Sequence, residues 1–165
     1  GEMLLAGRID FALARLPVGR DPALFSLDLL TDEPVSLLTR RDHALAGVPR
    51  VAPLRLLDYD WVMPGPGAIL REAVVSRLAV FGLPAPTGRL STSSFLLTLA
   101  MLQISNAIAP LATAVAQSFA EGPHSPYAVL DTDLDIRVAP YGIVTRAGSR
   151  PTPAAERLLD LIRAV

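Results

Sequence analysis

Short apolar segments of strand type alternate with segments of helical periodicity along most of this chain, and Gly and Pro mark the joints. Such alternation predicts an α/β fold with largely parallel sheets, because each helix carries the chain back to start a strand in the same direction. Residues 9–14 form a short, mostly apolar strand of the kind a buried parallel sheet requires. Met3-Leu4-Leu5-Ala6 and Gly7 before it read as a helix end with its glycine cap. Residues 25–30 and 35–39 read as two more strands, parted by Asp32-Glu33-Pro34.

The middle of the chain keeps the same rhythm. Residues 53–57 suggest a short helix, and 61–63 a brief strand that stops at Pro64-Gly65-Pro66-Gly67. A helix should follow over about 68–81, with Ile69, Ala73 and Leu78 among its apolar positions and Gly82 and Pro84 ending it. A strand at 88–90 precedes Ser91-Thr92-Ser93-Ser94, which supplies N-cap candidates for a helix through Gln103. A strand at 107–109, a helix at 111–120 and strands at 127–130 and 136–145 come next. The last helix begins at Thr152-Pro153, proline being tolerated in a first turn. Its positions Ala154, Leu158, Leu161, Ile162 and Val165 fit one helical face.

Composition narrows the functions open to such a chain. Its 165 residues suit one domain or two small lobes, and 51% hydrophobic against 19% charged residues allows a real core. The net charge is −1 and the fifteen basic residues, all arginine, form no block. That argues against this segment gripping nucleic acid, which needs clustered positive charge. With no cysteine, disulfides, Cys-ligated zinc and thiol nucleophiles are excluded. His43 and His124 are too far apart in sequence to suggest a metal site and read as turn and loop residues. Asp131-Thr132-Asp133-Leu134-Asp135 mimics a calcium loop without its glycine or distal glutamate, and reads as a polar turn. Neither a Gly-x-Ser-x-Gly elbow nor a P-loop occurs, and nothing pairs Glu33 or Glu72 with a nucleophile. The longest apolar runs, such as 107–116, are too short and proline-interrupted to span a bilayer. The expectation is a chain with no enzymatic activity, no cofactor, no metal and no membrane segment.

Several motifs, taken in order, resemble the effector-binding domain of bacterial LysR-type transcriptional regulators. Gly7-Arg8-Ile9-Asp10-Phe11-Ala12-Leu13 is similar to the family's Gly-x-hydrophobic-Asp-x-Ala segment. Arg40-Arg41-Asp42-His43-Ala44-Leu45-Ala46 resembles its His-Pro-Leu-Ala turn, with Ala44 in place of proline. Residues 54–60 with Trp61-Val62-Met63-Pro64, then Leu70-Arg71 and Phe81-Gly82-Leu83-Pro84, resemble the entry into its second lobe. Residues 104–112 resemble the hydrophobic-x-Leu-Pro loop, and 141–165 the closing strand and helix. Ala14-Arg15-Leu16-Pro17 and residues 67–71 are most similar to the galactose-binding-protein-regulator-like branch.

The resemblance implies two Rossmann-like lobes, as in type 2 periplasmic binding proteins. Lobe I would comprise residues 1–50 and 138–165, and lobe II residues 51–137. Lobe I would be truncated at its N-terminus, since the family's first strand and helix and its helix-turn-helix have no counterpart; the opening Gly1-Glu2-Met3-Leu4-Leu5 reads as the end of a helix. It further implies a cytoplasmic regulator, a dimer or tetramer when intact, that touches DNA only through the helix-turn-helix. A small-molecule effector would bind in the cleft between lobes, where strand ends and helix N-termini meet, and shift the oligomer's conformation.

Candidate ligand-binding residues follow from that placement. Gly65, Gly67 and Ala68 precede a helix, where glycines admit a ligand to the backbone and free N–H groups favour anions; the plain alternative is a strand-to-helix turn. Ser91, Ser93 and Ser94 read equally as hydroxyl donors or as caps. Arg15 follows a strand end and would clamp a carboxylate or hydroxyls, against a solvated surface role. Asn106 and Pro110 would form the far wall, against a structural turn. Arg71 would fix the loop at 65–68 or lie on the surface. The rival functions are a transporter's solute-binding protein, which needs a secretion signal, and an enzyme on the same fold, which needs a convergent acid, base or nucleophile set.

Overall fold

The computed structural model describes residues 1–15, 19, 21–86 and 88–163. The element order is α1 (Glu2–Leu5), β1 (Phe11–Ala14), β2 (Phe25–Arg40), α2 (Pro53–Leu56), β3 (Trp61–Met63), α3 (Ile69–Val80), β4 (Gly88–Ser91), α4 (Phe95–Ile104), β5 (Ala109–Ala112), α5 (Thr113–Ala120), β6 (Tyr127–Val129), β7 (Ile136–Arg146) and α6 (Pro153–Arg163). The chain divides into two compact units, Gly1–Asp32 with Ala139–Val165, and Glu33–Val138.

In the first unit β1 pairs antiparallel with β7, Phe11 opposite Thr145 and Ala14 opposite Gly142. Leu4, Phe25 and Val144 are buried together, with Ile9, Ala12 and Leu27 packed against them. Gly142 is required by crowding: a Cβ there would overlap the carbonyl oxygen of Asp28. The Arg163 guanidinium ties α6 to the Asp28 carboxylate at 2.9 Å. Thr152 opens α6, its hydroxyl accepting from Ala155 N and donating to Asp10. The buried residues of α6 are Ala155 and Leu159, with Ile162 partly covered, whereas Leu158 and Leu161 are 49% and 67% exposed. This corrects the face expected from Ala154, Leu158 and Leu161. Both sets obey helical spacing one residue apart, and periodicity alone does not say which edge of a wide apolar face meets the core. Val165, also placed on that face, and Leu16-Pro17 lie outside the described residues.

The second unit is built on β3, which runs parallel to β4, and on a parallel bridge from Trp61 to Ile108 that carries the chain into β5. β2 pairs antiparallel with β5 and with β6. The sheets are therefore mixed, not largely parallel. The parallel pairing holds across α3, the crossover helix; β2 is joined to β5 and β6 over long stretches of chain and takes the opposite direction. Trp61 is fully buried, its indole N–H donating to the Leu56 carbonyl at 3.0 Å, among Leu37, Leu45, Leu56, Met63, Leu78, Ile108 and Leu134.

Three boundaries differ from those expected. The strands expected at 25–30 and 35–39 are one strand, β2. Pro34 lacks a donor but its fixed φ suits extended backbone, so it does not stop the strand. The Asp32-Glu33 signal coincides instead with the division between compact units. The second unit accordingly starts at Glu33, ahead of residue 51, because Val35, Leu37 and Leu45 share one buried cluster with Trp61. Likewise 111–112 continue β5, and α5 starts at Thr113. No helix among the described residues is long and apolar enough to cross a membrane.

Candidate functional site

Because β3 and β4 run in parallel, their carboxyl ends open on the same side of the second unit, and each is followed by a helix N-terminus. This is the side of an α/β sheet where ligands are usually held. After Met63 the chain turns through Pro64-Gly65-Pro66-Gly67, with Ala68 N donating to Gly65 O at 3.2 Å and Gly67 at a φ of +76°. Ala68 caps α3 without a side-chain bond. Arg71, one turn into α3, donates to the Pro64 carbonyl at 3.1 Å and lies 3.5 Å from Ser91 Oγ. It thus braces the turn against the end of β4.

The hydroxyl run after β4 is divided among several tasks. Ser94 Oγ caps α4 by accepting from Leu97 N at 3.3 Å. Thr92 Oγ1 accepts from Ser94 N at 3.0 Å, and Thr98 Oγ1 donates to Ser94 O at 3.1 Å. Between these strand ends lies a cavity of about 280 Å³. Val62, Leu70, Phe95 and Leu111 give it apolar walls with Pro64 and Pro110, and Thr92, Ser93 and Thr98 supply hydroxyls. Among the described residues, its lining contains no ionisable side chain.

Of the residues expected at the site, Ser93 and Pro110 line this cavity. Pro110 does so from within β5, opposite Leu37, and not from a turn. Gly65, Gly67, Ala68, Ser91 and Ser94 belong to the turns and caps that frame the same strand ends. Arg15 follows β1 in the first unit, partly buried and engaged by neighbours. Thr98 and the apolar walls were missed. The one local signal for Thr98 was a lone hydroxyl, four residues after Ser94, in a helix whose only other polar residue is Gln103.

Asn106 lies elsewhere, at the amino ends of β3 and β5. Its Oδ1 accepts from Arg40 Nε and Nη2 at 3.0 and 2.7 Å. Asn106 lines a more open hollow of about 590 Å³ with Asp58, Tyr59, Asp60 and Ser105. His43 stands beside it, in the turn after β2 but buried. Its Nδ1 accepts from Leu45 N at 3.0 Å, which leaves the Nε2 proton for the Asn106 carbonyl at 3.2 Å. Its ring lies 4.4 Å from that of Tyr59. Burial holds its pKa below the ordinary 6.5, and Arg40 pushes the same way against the Asn106 carbonyl and Asp42. Among the described residues, no group of three or more His, Cys, Asp or Glu side chains could hold a metal ion.

The model of the LysR substrate binding domain matches residues 1–165. The chain belongs to that family. The LysR-type relatives include the HTH-type transcriptional regulator GbpR of Rhizobium radiobacter, 39% identical over 114 residues, which cover 69% of this chain and 38% of the relative. GbpR of Azospirillum brasilense is 27% identical over 164 residues, 99% of this chain and 47% of the relative. The chain therefore spans less than half the length of either curated relative. Both bear the name of the branch that residues 67–71 resemble. Among solved LysR-type folds, the CcmR regulatory domain of Synechocystis PCC6803, in complex with 2-PG, superposes with a TM-score of 0.78 at 22% identity, over 99% of this chain and 76% of that one. The fold is that of a LysR effector-binding domain, the type 2 periplasmic-binding-protein architecture expected from the sequence.

Proposed function

We propose that this chain is the effector-sensing portion of a LysR-type transcriptional regulator, and that it holds a small molecule at the carboxyl ends of β3 and β4. The observation that carries this reading is the cavity there, apolar on most sides and edged by the Ser93, Thr92 and Thr98 hydroxyls. Thr92 and Thr98 keep hydrogen-bonding capacity beyond their bonds within the chain. A cavity of about 280 Å³ sits at the lower limit of small-molecule sites and suits a ligand of roughly a dozen non-hydrogen atoms. The ligand this lining favours has an apolar body and a few hydrogen-bonding groups. Gly65, Gly67 and Ala68 would bring α3's first N–H groups near it.

In this reading the chain binds and does not catalyse; among the described residues the lining offers no acid, base or activated nucleophile. The effector acts by differential affinity for two conformations. The intact protein would be a cytoplasmic dimer or tetramer that meets DNA through a helix-turn-helix outside this chain, as the names of its relatives suggest. A thermal-shift screen of small carboxylates, monosaccharides and polar aromatic acids tests the reading, since a ligand that binds only the native state raises Tm. Calorimetry on each hit with Ser93→Trp then tests the placement. A screen without hits counts against the function, and a hit that binds the variant unchanged counts against the site.

A further inference from the structure

We infer that Thr98 makes the cavity at the carboxyl ends of β3 and β4 select a neutral ligand group over a carboxylate. The favoured group both donates and accepts hydrogen bonds, as a primary carboxamide or an alcohol does, and sits on an apolar body. This rests on the reading that the cavity is the ligand site. Two of its hydroxyls are tied to one residue in opposite senses. Thr92 Oγ1 accepts from Ser94 N at 3.0 Å, whereas Thr98 Oγ1 donates to Ser94 O at 3.1 Å. A hydroxyl has one proton to give and two lone pairs. Thr92 therefore keeps its proton for a ligand, and Thr98 keeps its lone pairs. The backbone fixes both residues, Thr92 N donating to Met63 O and Thr98 N to Ser94 O, each at 3.0 Å.

Donors alone would suit a carboxylate, and this end of the unit has several. They are the Thr92 hydroxyl, the Ser93 hydroxyl, which can turn either way, and the first N–H groups of α3. Thr98 breaks that preference. A carboxylate oxygen beside it sets lone pairs against lone pairs unless Thr98 gives up its bond to Ser94 O. Thr98 is buried, so a missing donor is not readily replaced by water. The Pro64 carbonyl, an acceptor at the same strand end, is already engaged by Arg71. A donor-only cation fails for the converse reason. It leaves the Thr92 proton unpaired and, among the described residues, finds no carboxylate in the lining. Either ion is also costly to desolvate against walls that are mostly apolar. A carboxamide satisfies both hydroxyls, its carbonyl taking the Thr92 proton and its N–H giving to Thr98.

Benzamide, benzoate and benzamidinium are near-isosteric probes with a mixed, an acceptor-only and a donor-only head group. NMR shift titrations of this chain near neutral pH should show benzamide binding at least about tenfold more tightly than either ion. Thr98→Val keeps the shape and removes the acceptor, and should bring benzamide and benzoate within about twofold of each other. Thr98→Ser should keep the preference. Ser94 O retains its bond from Thr98 N in both variants, so both are expected to fold, with circular dichroism and Tm as the check. Ser93→Trp should block every probe. Benzamide and benzoate that bind alike, both blocked by Ser93→Trp, overturn the selectivity and leave the site standing. Benzamide binding that Ser93→Trp does not touch overturns the site itself. A preference unchanged in Thr98→Val overturns the inference, as does a chain that takes up no benzamide at about 20 mM, whatever the effector screen shows.

Discussion

The second unit has a hollow at each end of β3, and the two differ in what their polar atoms are free to do. At the amino end Asn106 is held by Arg40, and His43 is fixed between Leu45 N and the Asn106 carbonyl. That hollow is the larger, yet its Asn106 carboxamide already serves the fold. At the carboxyl end the cavity is smaller and mostly apolar, and Thr92, Ser93 and Thr98 line it while Ser94 caps α4. The proposed binding end is therefore chosen by strand direction and by the prior engagement of polar groups, and not by volume.

Filling each hollow in turn should separate the two ends most sharply. Ser93→Trp places an indole in the carboxyl-end cavity and is expected to cut affinity for a screened effector by at least about a hundredfold, some 3 kcal/mol. Ser105→Trp at the amino end should leave affinity within about twofold. Titration calorimetry of both variants decides, and equal losses would erase the distinction.

Deleting single hydroxyls refines it. Ser93→Ala should weaken binding by roughly 1–3 kcal/mol with little change in folding, the expectation for one buried polar contact. Ser94→Ala should instead cost about 1 kcal/mol of stability through the lost cap of α4. If urea midpoints and affinities show the reverse, the roles assigned to these neighbours are exchanged.

The amino end should also carry a pH dependence. His43 has a lowered pKa in the fold and an ordinary one near 6.5 when unfolded. The unfolded chain therefore takes up the proton first. The contribution is complete above about 6.5 and is lost as pH falls from there through the lowered folded value. Urea unfolding at pH 7.5 and 5.5 should show the native chain losing stability on acidification, and His43→Gln losing less. The smallest effect expected is from Arg71→Gln, under about 1 kcal/mol of stability, since the guanidinium bonds one carbonyl and, at the long distance of 3.5 Å, the Ser91 hydroxyl from a partly exposed position.

The contrast also marks what was legible in the residues. The strand at 61–63, the helix after Ala68, a cap somewhere within 91–94 and the Thr152-Pro153 start were readable because each depends on neighbours within about four positions. Family membership was readable from the order of weak motifs spread over the chain. The carboxyl-end residues were partly readable, as Gly65, Gly67, Ser91, Ser93 and Ser94 are all turn or cap types. Their division of labour was not, since a serine that caps and one that faces a cavity look alike in sequence.

By itself, then, the sequence determined the alternating order of most helices and strands, that they form an α/β fold, and to which family the chain belongs. Tertiary structure alone decided which edge of α6 is buried, that β2 continues through Pro34, and that β2 runs antiparallel to β5 and β6. It also decided that Arg40 takes up Asn106 across 66 positions of sequence. The physical reason is range. Capping, turn and periodicity signals are settled within one or two turns of chain, whereas register, burial and the engagement of a polar group depend on partners that only the folded chain brings together.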